Sequence, residues 1–95
     1  MKSILFAILF LVGNLAMAQN IRMITYNIRY NNPGDGVNTW PNRSKDVAAL
    51  LDFHKADIFG LQEALVGQIE DIQAQLPQMK WVGVGRDDGK KAGEY

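Results

Sequence analysis

Along residues 21–95, apolar and polar positions first alternate and then fall into helical spacing, twice over. Ile21, Ile24, Tyr26 and Ile28 are broken by Arg22, Thr25, Asn27 and Arg29, a β-branched and aromatic pattern that predicts a strand over residues 21–30. Asn31, Asn32, Pro33, Gly34, Asp35 and Gly36 follow; these residues fix φ or tolerate positive φ, so the strand ends in an exposed loop. Their side-chain oxygens do not fall at the spacing of a calcium loop. Val47, Leu50, Leu51 and His54 then recur at i, i+3, i+4 and i+7, with Pro41 acceptable in a first turn, and predict an amphipathic helix over residues 41–55. Residues 57–63 are a short apolar run with polar ends, which suits a strand buried on both faces. Leu65, Ile69, Ile72 and Leu76 return to helical spacing until Pro77 stops it. A third strand, anchored by Trp81, is predicted over residues 79–85, and the Gly-, Lys- and Asp-rich residues 86–95 read as a loop. The order β-α-β-α-β predicts an α/β fold with right-handed crossovers and a parallel beginning to the sheet.

Residues 1–18 stand outside this pattern. Lys2 supplies a positive start, residues 4–12 are uninterruptedly apolar, and Ala16-Met17-Ala18 is a small-x-small cleavage site before Gln19. Gly13 and Asn14 break the run short of the ~20 residues that span a bilayer, so it reads as a signal peptide. The expected location is the periplasm or the extracellular medium. No cysteine follows for a lipid anchor.

Composition refines the picture only slightly. Ten basic side chains balance ten acidic ones, so no field of one sign steers this stretch toward nucleic acid or a membrane. Residues 19–95, taken as one domain, are few enough that a single core contributes only a few kcal/mol of net stability, and no cysteine is present to add a disulfide.

In sheets built from crossovers, ligands bind beyond the carboxyl ends of the strands. Asn27 and Glu63 each close a seven-residue window, residues 21–27 and 57–63, so simple parallel register brings both to one rim. Neighbouring strands lie about 4.8 Å apart, close enough for the amide and the carboxylate to share one ion or phosphate. Magnesium suits such a place because it asks for few protein carboxylates and keeps water and phosphate oxygens for the rest of its octahedron. Glu63 supplies an anionic oxygen, and Asn27 holds a phosphate oxygen or orients water without repelling an anion. The plainer alternative is a glutamate that caps the following helix and an asparagine that ends a strand.

Thr25-Tyr26-Asn27-Ile28-Arg29-Tyr30, Trp40 with Arg43, residues 57–65 and residues 82–89 with Gly93-Glu94-Tyr95 resemble the opening of the endonuclease/exonuclease/phosphatase superfamily. They are most similar to its secreted bacterial members. The Gln-Glu pair after an Asp-Ile-x-Gly-Leu strand, preceded by a Tyr-Asn strand, carries the resemblance. What the resemblance implies is a β-α-β-α-β portion of a four-layer, deoxyribonuclease I-like α/β sandwich. Glu63 becomes a ligand of Mg2+ (or Mn2+) and Asn27 an active-site amide. Arg86 lies in a stretch that matches the secreted members and reads either as a contact on the substrate side or as a solvated loop charge. Asp87, Asp88 and Glu94 receive no role from the resemblance. The family also uses an Asp-x-Asn pair and an Asp-His pair, and these 95 residues contain neither. His54, the single histidine, reads as a packing or helix-terminal residue.

The expectation is therefore a metal-dependent phosphoester hydrolase acting on a phosphorylated substrate: nucleic acid, phospholipid head group, or sugar or inositol phosphate. These 95 residues alone are expected to be inactive and marginally stable. The alternative, from another class, is a small exported binding or interaction module on a phosphohydrolase-like scaffold.

Overall fold

The computed structural model describes residues 18–95; the expected signal peptide, apart from Ala18, lies outside the described residues. Strand β1, Met23–Asn27, pairs in parallel with strand β2, Ile58–Gln62. The register runs from Met23 opposite Ile58 to Asn27 opposite Gln62, so both strands end at one level. Helix α1, Trp40–Phe53, joins them, and helix α2, Val66–Gln75, follows β2. A short 3-10 segment, Pro33–Asn38, fills the turn before α1, with the Asn32 side chain accepting a bond from the Gly34 N–H. The two helices and two parallel strands follow the expected α/β order through β2 and α2.

The core forms where α1 and α2 pack on the sheet. Trp40, Val47 and Leu51 of α1 meet Ile69 and Ile72 of α2, together with Ile28, Ala64 and Leu76. Ile24, Tyr26, Phe59 and Leu61 cover this cluster from the sheet, which is the period-2 consequence of pleating. Trp40 adds a polar tie, its indole N–H donating to Asp71 Oδ2 at 2.8 Å. Leu76 ends α2, as Pro77 requires.

Three expectations are corrected. Residues 57–63 are not buried on both faces: Met23, Thr25, Ile58, Gly60 and Gln62 lie on an exposed face, with Met23 70% and Ile58 53% accessible. Only one layer of helices covers the sheet, so the second face has no packing partner among the described residues. The third strand over residues 79–85 is not formed. A strand exists only where its backbone groups find a neighbouring strand. Here Gly85, Arg86 and Asp87 instead donate to Lys90, Glu94 and Ala92, so the chain folds back on its own continuation. Trp81 does not anchor this segment in the core: it is exposed, and its ring meets the Tyr95 ring edge-on at 5.6 Å. Finally, of the two readings of His54, packing fails and the helix-terminal one holds. Ala48 takes its place on the buried stripe, and His54 is the exposed residue that terminates α1. No helix among the described residues is long and apolar enough to cross a membrane.

Candidate active site

Both strands leave the sheet through a residue in the left-handed region. After Asn27, the buried Ile28 donates a last bond to the Gln62 carbonyl at 3.1 Å, and Arg29 turns away at φ 58°. After Gln62, Glu63 turns at φ 59°. Such a backbone disfavours residues with a Cβ by roughly 1–2 kcal/mol each, so neighbouring contacts must hold both turns. The first is held locally, because Asn27 Oδ1 accepts the Arg29 N–H at 3.0 Å in an Asx turn.

These turns bring the two candidate residues into contact. Asn27 Nδ2 donates to Glu63 Oε1 at 3.0 Å, and the Tyr30 N–H donates to Glu63 Oε2 at 3.3 Å. The hydrogen bond from Asn27 holds the Glu63 carboxyl below its ordinary range, helped by the Tyr30 N–H and by the charge of Arg29. Glu63 is therefore an anion at neutral pH. Its oxygens bond the end of β1 and not the first turn of α2, so it is not the helix cap of the plainer alternative. That role falls to Gln68, whose Oε1 accepts the Leu65 N–H at 3.1 Å.

The loop that carries Arg29 and Tyr30 is gripped on several sides. Arg43 reaches back from α1 to donate to the carbonyls of Asn38 at 2.7 Å, Ile28 at 2.8 Å and Arg29 at 3.3 Å. Its guanidinium also lies 5.5 Å from the Trp40 ring centre. Arg29 makes a two-point pair with Asp35, at 3.1 and 3.0 Å, and lies over the Tyr30 ring at 4.6 Å. The pair lowers the Asp35 carboxyl and raises the Arg29 guanidinium, each through the hydrogen bonds they share.

Arg86 is not brought to this pair. Its guanidinium, largely exposed, bridges to Glu94 at 3.2 Å and more loosely to Asp87 at 3.9 Å. Asp88 shapes the loop: its Oδ1 accepts the N–H groups of Lys90 at 2.7 Å and Ala92 at 3.0 Å, and these bonds lower its carboxyl. Gly85 is required here, because a Cβ would run into the Ala92 carbonyl. The segment returns to the rim by backbone, the Tyr95 N–H donating to the Ala64 carbonyl at 2.9 Å, one residue past Glu63. His54 lies at the other end of the sheet, where its carbonyl accepts from Arg22 just before β1.

Sequence reasoning missed Gln68, Arg29 and Asp35. Gln68 left a legible signal: it interrupts the buried stripe Leu65, Ile69, Ile72 at position i+3, where an apolar residue is expected, and it stands at the N3 position of helix-capping patterns. Arg29 and Asp35 left none, since pairing across a loop has no period.

The donor set suits a hard cation of low protein demand. No group of three histidine, cysteine or acidic side chains converges among the described residues, which excludes an all-protein zinc or calcium cage there. One ionised carboxylate oxygen beside an amide is what magnesium uses when water and phosphate complete its shell.

The parallel α/β unit that carries this acid and amide is similar to several solved structures. The chain superposes on an endonuclease/exonuclease/phosphatase from Bacteroides vulgatus with a TM-score of 0.80 and 47% identity, covering 82% of this chain and 30% of that one. An endonuclease/exonuclease/phosphatase family protein from Bacteroides thetaiotaomicron gives 0.71 and 39%, over 75% and 27%. A mannosyl-6-phosphatase from Bacteroides thetaiotaomicron gives 0.75 and 38%, over 79% and 29%. No family model matches the chain, and no curated protein is significantly similar to it. The described residues are thus a portion of the deoxyribonuclease I-like fold of the endonuclease/exonuclease/phosphatase family. The chain spans 27–30% of the length of these three structures.

Proposed function

We propose that these residues supply one wall of the active site of an exported, Mg2+- or Mn2+-dependent phosphoester hydrolase. The observation that carries the reading is the 3.0 Å contact between Asn27 and Glu63 at the common end of two parallel strands. Glu63 holds the cation through its ionised carboxylate. When bound, the cation supplies charge stabilisation to the phosphoryl oxygens. Asn27 fixes the Glu63 carboxylate through one amide hydrogen and has a second for a phosphate oxygen. Arg86 is the substrate-side candidate, since its guanidinium is largely exposed and would exchange its bridges to Glu94 and Asp87 for a phosphate oxygen.

A phosphomonoester is the favoured substrate class. The neighbour named as a mannosyl-6-phosphatase supports it, and the balanced charge of this chain gives no footing for a nucleic-acid backbone. Residues 1–18 carry the export signal of this reading. Proton transfer is left to groups outside the pair, because Asn27 does not titrate and Glu63 is committed as an anion.

The test replaces Glu63 in the complete protein. Mannose 6-phosphate, p-nitrophenyl phosphate and bis(p-nitrophenyl) phosphate are assayed with Mg2+ and with Mn2+. Glu63→Gln should lower metal-dependent turnover by about 100-fold or more while leaving the fold intact. Turnover unchanged in Glu63→Gln rejects the assignment, and preference for the diester rejects the substrate class.

A further inference from the structure

We propose that Gln68 is a positioning residue for the Glu63–Asn27 rim, acting through the single peptide group between Arg29 and Tyr30. Its side chain is 1% exposed, and each of its polar atoms is used. Nε2 donates to the Arg29 carbonyl at 2.9 Å, while Oε1 accepts from the Asn31 N–H at 3.0 Å and the Leu65 N–H at 3.1 Å. The Arg29 carbonyl and the Tyr30 N–H belong to one planar peptide group. That group therefore accepts from Gln68 on one side and donates to Glu63 Oε2 at 3.3 Å on the other. Rotating this peptide plane about its flanking Cα atoms breaks both bonds at once.

The same amide closes the first turn of α2, so one buried side chain ties the exit of β1 to the helix that follows Glu63. Hydrogen bonds in series polarise one another, so the Gln68 bond also strengthens the donation to Glu63. Arg43 supports the same carbonyl at 3.3 Å, from α1 and from a more exposed position. The inference rests on the hydrolase reading for the purpose of the rim and on geometry alone for its mechanism.

The test is made by NMR on the complete protein, without metal or substrate. Gln68→Met keeps the volume and removes the three bonds. Asp71→Ala serves as the control, since Asp71 lies one turn along α2 and bonds the Trp40 indole, not the loop. In Gln68→Met the Tyr30 amide should exchange about tenfold faster, and the Asn27 side-chain amide resonances should move toward their solvent-exposed positions. Asp71→Ala should leave both near the wild type. Unchanged Tyr30 exchange in Gln68→Met, or equal change in the control, reduces Gln68 to a packing residue and overturns the proposal.

Should Gln68→Met fail to fold, the wild type decides. Slow exchange of both the Gln68 Nε2 protons and the Tyr30 amide upholds the link, and exchange at exposed-loop rates overturns it. Absence of metal-dependent turnover in the complete protein defeats the hydrolase reading without touching these signals.

Discussion

The Glu63 carboxylate draws its ionisation from two donors that folding brings to it, so its titration reports the rim directly. Its folded pKa is lowered, chiefly by the Asn27 bond. A carboxyl lowered on folding adds stability that is present above its unfolded pKa and lost as pH falls through the folded value. Mn2+ binding by this group should accordingly persist below the ordinary carboxylate range and disappear on further acidification. Asn27→Leu removes the principal donor, so the Glu63 titration should rise toward the ordinary range and Mn2+ binding should fail at a higher pH. A 13C-detected titration of the carboxyl checks the first outcome and Mn2+ relaxation the second; a titration unmoved in Asn27→Leu contradicts the assigned cause. At this scale the sequence was legible for the pair itself. Strand ends of parallel crossovers converge, and Asn27 and Glu63 stood at those ends. The grip on the loop was not legible, because Arg29, Asp35 and Arg43 act across turns, where spacing along the chain carries no geometric information.

Element by element, periodicity located both helices and both paired strands within a few residues. Its failures share one cause. A pattern of apolar residues states that a segment prefers burial, and says nothing about whether a partner is there to bury it. Residues 57–63 read as doubly buried, yet one face of β2 stays open; residues 79–85 read as a strand, yet no neighbouring strand receives them. The helices are different because their partner is each other. Leu51, 1% exposed, sits where α1 meets α2 and the sheet. Leu51→Ala should therefore destabilise by about 2–5 kcal/mol, the range for a leucine deleted from a close-packed core. Trp40→Phe forfeits the bond to Asp71 and leaves most of the ring volume, with an expected loss of about 1 kcal/mol before any cavity term. Urea denaturation measures both. A smaller loss for Leu51→Ala than for Trp40→Phe contradicts the packing described.

For the molecule as a whole, one observation governs behaviour in solution: the apolar surface that has no cover. Met23 and Ile58 face outward side by side on the open sheet face, paired in register at the start of the strands. Val82 and Val84, 100% and 59% exposed, and Trp81, 42% exposed, lie in the segment after α2. Beside the edge of β2, a groove of about 360 Å³ runs between Phe59, Leu61, Ile72, Leu76, Met79 and Trp81. Soluble monomers rarely leave contiguous apolar patches of more than a few hundred Å² uncovered. The solved neighbours, between two and three times as long, have ample further chain. Residues 19–95 prepared alone should therefore self-associate, melt without a sharp transition, and hydrolyse none of the phosphoesters above. Replacing Met23 and Ile58 together by threonine keeps β propensity and removes the outward apolar pair, so association should weaken while the helix signal is retained. Sedimentation velocity and far-UV circular dichroism read the two effects. A monomeric wild-type fragment with a cooperative melt would show that the open face is tolerated as it stands.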